Sequence, residues 1–455
     1  MGKYFGTDGI RGIVGENIAD KPLDARLAHL VGRAAATVLI KNSECGRKPS
    51  VMIAKDTRIS CDMLVSAMAA GLCSAGANVI MLGVLPTPAV AYLTVKNGAD
   101  VGAVISASHN PYRHNGIKLF GKDGFKLSDE LEQRIENLID DDSGTLRPDI
   151  ADLGRVSGNH GRWLSEYVGF LASFSKGSYK GKIAVDCANG AAFETAHELL
   201  TKLGVDFEIS GNKPDGININ DKCGSTCPAP LQDMMKTGRF DVGFAFDGDA
   251  DRFIAVDEFG EIVDGDAMLA VFARDMQGRG ALKGGGLVGT VVSNSGMEVF
   301  AHLNGFDFRR ADVGDRNVLK MMLNTGCNIG GESSGHVIFS DIATTGDGQL
   351  TAVKFLNVLT ATGKTVSQLV SDIPRFPQVM PGYTLTGGAA ERESIMSNPR
   401  LAEEIKRQET LLAGEGRILV RPSGTEPLIR VLVEAKTIDL ATEKAEYLIN
   451  FIKSL

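Results

Sequence analysis

Asp247-Gly248-Asp249-Ala250-Asp251-Arg252 places three carboxylates at alternate positions directly after the apolar run Val242-Gly243-Phe244-Ala245-Phe246. Carboxylates this close repel one another by about 1 kcal/mol per pair even in bulk water, so the cluster calls for a hard cation. Magnesium takes oxygen ligands in octahedral geometry and commonly completes its shell with a phosphate oxygen. A calcium loop of the EF-hand type would share the spacing of the three Asp and the later Glu258. It requires Gly where Arg252 stands, however, and Phe253-Ile254-Ala255-Val256 reads as a strand. An Asp-x-Asp pair after a buried strand also fits a phosphatase with an aspartyl nucleophile. The bland reading, a polar surface turn, is costly for three acids with no Lys between them.

Three further segments bear on phosphate. In Ile105-Ser106-Ala107-Ser108-His109-Asn110-Pro111, a serine between small residues and ahead of a turn predicts a hydroxyl at an exposed loop tip, and Ser108 is a candidate nucleophile. The same letters also suit a plain strand-ending turn. Lys118 follows in Asn115-Gly116-Ile117-Lys118, where an ammonium could neutralise a phosphoryl group or shuttle a proton. Arg421-Pro422-Ser423-Gly424-Thr425-Glu426-Pro427, with Arg430 beyond it, offers hydroxyls, close backbone approach and two guanidinium forks, which suits a phosphate cradle or a simple turn between strands. Gly330-Gly331-Glu332-Ser333-Ser334-Gly335-His336 puts an acid, hydroxyls and an imidazole on a flexible loop suited to a polyhydroxylated ligand.

The elements that must carry these segments alternate between strand-like apolar runs and stretches of helical period, an α/β signature. One strand-helix-strand unit recurs at Val51 to Leu82, Lys182 to Ser210 and Leu287 to Arg309, with Gly76, Gly204 and Gly305 where each helix should end in a left-handed cap. Three related α/β domains with mixed sheets are therefore expected, at 1–155, 156–257 and 258–373, followed by a smaller α+β domain at 374–455. The first boundary is read from a polar, Gly-rich stretch running from Asp140 to Asn159, and the second near Asp257 from the repeat alone. Pro374 to Pro381 carries three prolines in eight residues, where hinge motion of the last domain is expected. A Gly-rich lead-in, a helix from Pro399 to Leu412, strands around Ile418 to Val420 and Ile429 to Glu434, and a closing helix make up the last domain.

At 455 residues, 43% hydrophobic and 23% charged, the chain has the composition of an ordinary globular protein. A net charge of −8 without a basic stripe argues against a nucleic-acid partner. Seven Cys with no Cys-x-x-Cys pair fit scattered reduced thiols, and no apolar stretch is long enough for a membrane span or signal core. A cytoplasmic protein without a membrane partner is expected.

Together with Phe5-Gly6-Thr7-Asp8-Gly9-Ile10-Arg11-Gly12, the four segments resemble, in letters and in order, the α-D-phosphohexomutase superfamily over essentially the full length. Cys223 to Thr226, Val313 to Arg316 and Thr344 to Gly348 are similar to the branch that works on an amino sugar. Cys227, His114 and Ser333 depart from that branch's common letters. The resemblance implies an isomerase, an intramolecular phosphotransferase interconverting glucosamine 6-phosphate and glucosamine 1-phosphate through a phosphoserine and a 1,6-bisphosphate. Its product would feed amino-sugar nucleotide and cell-wall precursor synthesis.

Under that resemblance Ser108 carries the phosphoryl group and joins Asp247, Asp249 and Asp251 around one Mg2+ per subunit. Arg421, Ser423, Gly424, Thr425 and Arg430 hold the substrate phosphate, and Glu332, Ser334 and His336 hold the sugar. Lys118 is the expected general acid or base, supported by His109, Arg11 and Arg252. Glucosamine 1,6-bisphosphate would prime the enzyme, with a kinase or autophosphorylation as other routes to phosphorylated Ser108, and a homodimer is carried as an expectation. The rivals are a phosphomannomutase or phosphoglucomutase acting on a neutral hexose, and a sugar-phosphate sensor that has lost its chemistry.

Overall fold

Apolar strands, several of them followed by helices, build four sheets in chain order. The computed structural model describes residues 2–6, 8–15, 23–42, 47–412, 416–423 and 428–455. The first sheet has seven strands in the spatial order Phe5–Gly6, Gly9–Ile13, His114–Gly121, Val101–Ile105, Ser50–Lys55, Asn78–Val84, Val156–Gly158. The second runs Ile262–Val263, Phe253–Val256, Val242–Phe246, Lys182–Asp186, Asp206–Ser210, and the third Asp307–Ala311, Gly286–Thr290, Ile329–Gly331, Val337–Phe339. In all three a parallel centre is flanked by an antiparallel strand. The last sheet is antiparallel throughout and is packed with helices in a smaller unit.

The recurring unit is present three times. Strands Ser50–Lys55, Lys182–Asp186 and Gly286–Thr290 each pass through a helix (Cys61–Ser74, Ala192–Leu203, Gly296–Leu303) to a parallel neighbour. Gly76, Gly204 and Gly305 have φ of 98°, 65° and 73°, the left-handed turn that lets the chain leave the helix without a Cβ clash.

Alternation along Ser50–Lys55 distributes the core. Val51 and Ile53 face a cluster under helices Ala25–Asn42 and Cys61–Ser74, whereas Met52 and Ala54 face a cluster continuous with the cores of the second and third sheets. The C-terminal unit has its own core around Ile429, Val431 and Val433.

Three segments differ from the reading of the sequence. The polar stretch after Asp140 ends in Val156–Gly158, which pairs with Asn78–Val84 and satisfies an otherwise open sheet edge. Beyond Asp257 the chain adds Ile262–Val263 to the second sheet for the same reason. The Gly-rich lead-in to the last unit forms strands Gln378–Val379 and Gly382–Thr384 and a helix at Gly388–Met396.

Helices Ala25–Asn42 and Cys61–Ser74 cross on glycine. A Cβ on Gly71 would lie 2.1 Å from the His29 carbonyl oxygen, and one on Gly32 would lie 2.3 Å from that of Met68. Alanine is normally better than glycine in a helix by about 1 kcal/mol, but overpacking costs roughly 1–3 kcal/mol and should win here. Gly71→Ala is expected to lower the thermal midpoint seen by calorimetry, and an equal or higher midpoint would contradict the close crossing.

Candidate active site

The chemically marked loops occupy one topological position. Each leaves a strand and returns as its antiparallel partner: Val101–Ile105 to His114–Gly121, Val242–Phe246 to Phe253–Val256, Ile329–Gly331 to Val337–Phe339, and Arg417–Pro422 to Leu428–Glu434.

The first two loops meet directly. Ser108 Oγ donates to Asp247 Oδ2 at 2.6 Å and lies 3.4 Å from His109 Nδ1. Asp247, Asp249 and Asp251 each bring a carboxylate oxygen within 4.8 Å of the others, and all three are buried. Oδ1 of Asp249 and of Asp251 is buried without a protein partner. Orphaned acceptors of this kind fit a cation, and an all-oxygen donor set with a hydroxyl beside it suits a hard one. Among the described residues, no other His, Cys, Asp and Glu group is gathered this way.

Ser108 is not at an exposed loop tip, as its neighbours in sequence imply: it is 1% exposed. The second sheet's loops cover it, and its backbone adopts φ +52°. Among the described residues every non-glycine with positive φ (Ser108, Ala188, Asn189, Asn220, Lys222, Ala250) lies in this cluster of loops. Each such residue stores of order 1–3 kcal/mol, and strain of this kind gathers where function requires a fixed geometry.

Cations enclose the acids. Lys118, 2% exposed, has its Nζ 2.8 Å from Asp249 Oδ2, 3.1 Å from Asp8 Oδ2 and 3.6 Å from Asp251 Oδ2. Burial alone would discharge it, but the surrounding carboxylates outweigh that and raise its pKa, so it stays an ammonium. Burial pushes the Asp247 carboxyl up, and the neighbouring Asp251 and Asp249 push the same way. Asp251 is also buried, but Lys118, His336 and Arg252 hold it below the usual carboxylate range. Arg252 donates its backbone N–H to Asp247 Oδ1 at 3.2 Å. Arg11 ion-pairs with Asp8 and donates to the Ala107 carbonyl at 3.3 Å. For His109, burial and then the nearby Arg252 and Arg11 lower the pKa to about 4, leaving a neutral ring.

The third loop docks on the second sheet. Phe253 N–H donates to the Gly335 carbonyl at 3.0 Å, and Gly335 takes φ +92° because a Cβ there would lie 2.2 Å from Phe253 O. His336 Nδ1 is 3.7 Å from Asp251 Oδ2, and its Nε2 accepts from Gly346 N–H at 3.0 Å. Burial opposes charge on this ring, but Asp251, Asp315 and Glu332 raise its pKa to about 9; taking the proton would cost the Gly346 bond. Glu332 Oε1 accepts from Gly314 N–H at 3.0 Å, and Ser334 Oγ is buried without a protein partner. In the fourth loop Arg421 and Arg430 are directly opposed across the strand pair. Burial and then Arg430 lower the Arg421 pKa, with Glu332 opposing. Ser423 donates its N–H to Leu428 O at 2.8 Å; Gly424 and Thr425 lie outside the described residues.

Reading the sequence passed over several partners. Lys126 bridges Asp8 (2.5 Å) and Asp315 (2.6 Å), tying the first sheet to the third. Thr87 Oγ1 donates to Asp249 Oδ2 at 2.6 Å. Arg58 is buried against the Ser108 loop. Arg58 alone had a signal, since Asp56-Thr57-Arg58 leaves a buried strand end as the triad does.

Family models for the phosphoglucomutase/phosphomannomutase α/β/α domains I, II and III match residues 2–145, 165–260 and 264–376, and the model for the C-terminal domain matches 387–450. A phosphoglucosamine mutase of Shouchella clausii is 45% identical over 454 residues, 100% of this chain and 99% of the relative. The chain belongs to the phosphoglucosamine mutase family. A second member, from Pelotomaculum thermopropionicum, is 46% identical over 457 residues and matches along the whole of both chains. Among solved structures, a phosphoglucomutase/phosphomannomutase family protein of Burkholderia thailandensis superposes with TM-score 0.80 at 25% identity, over 99% of this chain and 97% of that one. An Aspergillus fumigatus N-acetylphosphoglucosamine mutase, solved with GlcNAc-6P and magnesium, shares the fold with TM-score 0.67 at 18% identity, over 99% and 95% of the two chains. No helix among the described residues is long and apolar enough to cross a membrane.

Two outcomes are expected from this geometry. Asp251→Asn should weaken divalent-cation binding, measured by calorimetric titration, by more than the roughly 10–100-fold that loss of an outer-shell partner costs; unchanged affinity would place the cation elsewhere. Because burial, Arg252 and Arg11 lower the His109 pKa to about 4, its proton is not expected to shape the rate profile near neutrality. His109→Gln should lower kcat/KM between about pH 6 and 9 without moving either limb, and a displaced limb would assign that limb to His109.

Proposed function

We propose that the protein isomerises glucosamine 6-phosphate and glucosamine 1-phosphate, with phosphorylated Ser108 as donor and acceptor. The observation that carries this reading is the 2.6 Å contact of Ser108 Oγ with an acid of the buried triad, framed by fixed cations. A phosphoryl group on that oxygen brings about −1.5 to −2 charge, which Lys118, Arg252 and Arg11 are placed to balance. Magnesium held by Asp247, Asp249 and Asp251 would supply Lewis-acid stabilisation of the charge on the transferring group.

In the forward direction the substrate phosphate lies on Arg421, Arg430 and the segment from Ser423 to Thr425, with Glu332, Ser334 and His336 along the sugar. The 1-hydroxyl oxygen attacks phosphorus, the bond from phosphorus to Ser108 Oγ breaks, the hydroxyl's proton passes in net to the freed Ser108 Oγ, and a 1,6-bisphosphate results. The neutral His109 ring can accept a hydrogen bond from the incoming hydroxyl. Lys118, held as an ammonium by its carboxylate neighbours, serves as a counter-charge and hydrogen-bond donor rather than as a base. The bisphosphate turns end for end, its 6-phosphoryl passes back to Ser108 Oγ, and glucosamine 1-phosphate leaves. Phosphoryl transfer of this kind is mostly positioning and electrostatics, which is what the site offers. Full-length relatives at 45–46% identity that carry the amino-sugar name favour this substrate over a neutral hexose.

The test is isomerisation of glucosamine 6-phosphate by magnesium-loaded, bisphosphate-primed protein, beside glucose and mannose phosphates, with Ser108→Ala as control. Preference for the amino sugar, falling to background in the variant, is expected. Preference for a neutral hexose would move the substrate assignment, and activity surviving in Ser108→Ala would overturn the phosphoserine route.

A further inference from the structure

Two carbonyl oxygens of the nucleophile loop are each held from two sides. Arg58 Nη2, from the first sheet, donates to Ser108 O at 2.8 Å and to Asn110 O at 2.8 Å. Asn220 Nδ2, from a loop of the second sheet's unit, donates to the same two oxygens at 2.9 and 3.1 Å. The rest of the Arg58 guanidinium is committed nearby: Nη1 to Pro111 O (2.6 Å) and His114 O (3.0 Å), and Nε to Asp56 Oδ2 (2.8 Å), which also accepts from Ser106 Oγ at 2.7 Å. One buried arginine thus fastens the loop from Ser106 to His114.

Asn220 is itself tightly set. It has φ +57°, its N–H donates to Ala188 O at 2.9 Å, and its Oδ1 is buried without a protein partner, so only the amide NH2 is engaged. The metal loop is shaped around the same contact. A Cβ on Gly248 would stand 2.5 Å from Ser108 O and 2.7 Å from Asn220 Nδ2, so glycine is required between two of the acids.

We propose that Arg58 and Asn220 are positioning residues, a clamp across the boundary between the first two sheets that fixes Ser108 relative to the acidic triad. The proposal rests on the mutase reading, and that reaction gives the clamp its purpose. One hydroxyl oxygen must be the leaving group in the first half and the attacking group in the second, with a bisphosphate turning over between them. A loop free to follow the departing phosphoryl would lose its place. Ser108 cannot leave its left-handed conformation while its carbonyl and that of Asn110 are doubly held. A displacement of about 1 Å at a reacting atom can cost on the order of 100-fold in rate.

Asn220→Asp keeps shape and tolerance of positive φ but replaces the donor with an acceptor, and Asn220→Gly keeps the backbone free while removing the amide. Both half-exposed substitutions avoid the folding risk of changing buried Arg58. Each is expected to lower kcat roughly 10–100-fold with the KM for glucosamine 6-phosphate nearly unchanged, and Asn220→Gly to do so with the thermal midpoint nearly unchanged as well. Hydrogen exchange of the 106–110 amides should also accelerate. That second readout does not depend on turnover, so the two readings fail separately. A wild type without isomerase activity fails the mutase reading, while loop protection unchanged in both variants overturns the clamp. Wild-type kcat in both variants, or a KM that rises in step with a falling midpoint, overturns it as well.

Discussion

Three carboxylates within 4.8 Å of one another and nearly removed from water set the constraint around which this molecule is arranged. Desolvated like charges persist only if cations are fixed beside them, and every sheet but the last sends one or more. Lys118 comes from the first and Arg252 from the second, while the third sends the His336 ring to within 3.7 Å of Asp251. Lys126, between Asp8 and Asp315, extends the lattice from the first sheet to the third. The electrostatics of the site and the docking of the domains are therefore one set of contacts, which accounts for a core shared by the first three units.

Repetition of one topological device explains how four distant segments converge. Each functional loop joins a strand to its antiparallel partner, so three similar units packed around a centre present three loops to it, and the fourth unit adds its paired strands Arg417–Pro422 and Leu428–Glu434. In the first three the loop leaves the carboxyl end of a parallel strand, where ligands of α/β sheets are generally found. Glycines at Gly248 and Gly335 let these loops approach backbone to backbone.

The C-terminal unit stands apart energetically. It has a separate hydrophobic core and is fastened to the third unit by the pair of half-buried Arg417 and buried Glu434, with Glu434 accepting from Ser295 and Arg417 donating to Val291 O and Ser293 O. A unit joined mainly by polar contacts beside a proline-rich connection can shift without opening the shared core. It also carries Arg421 and Arg430, directly opposed across its strand pair.

The amino-acid sequence by itself determined what short-range physics controls: the alternate Asp triad at a strand end, the three strand-helix-strand units with their left-handed glycines, and the candidate Ser, Lys and Arg segments. These signals are local, since spacing, turn chemistry and periodicity need only a few neighbouring residues. Where partners are far along the chain the letters were silent, or misled. Ser108 sits in a turn that reads as exposed, yet loops more than a hundred residues later bury it. Lys118 reads as either acid or base, and only the carboxylates of Asp8, Asp249 and Asp251 fix it as an ammonium. Lys126, Thr87 and Asn220 carry no signature because a single polar side chain acquires meaning from what faces it. The tertiary structure decided burial, charge state and the clamp on the nucleophile, since each depends on desolvation and geometry that exist only once the domains are packed together.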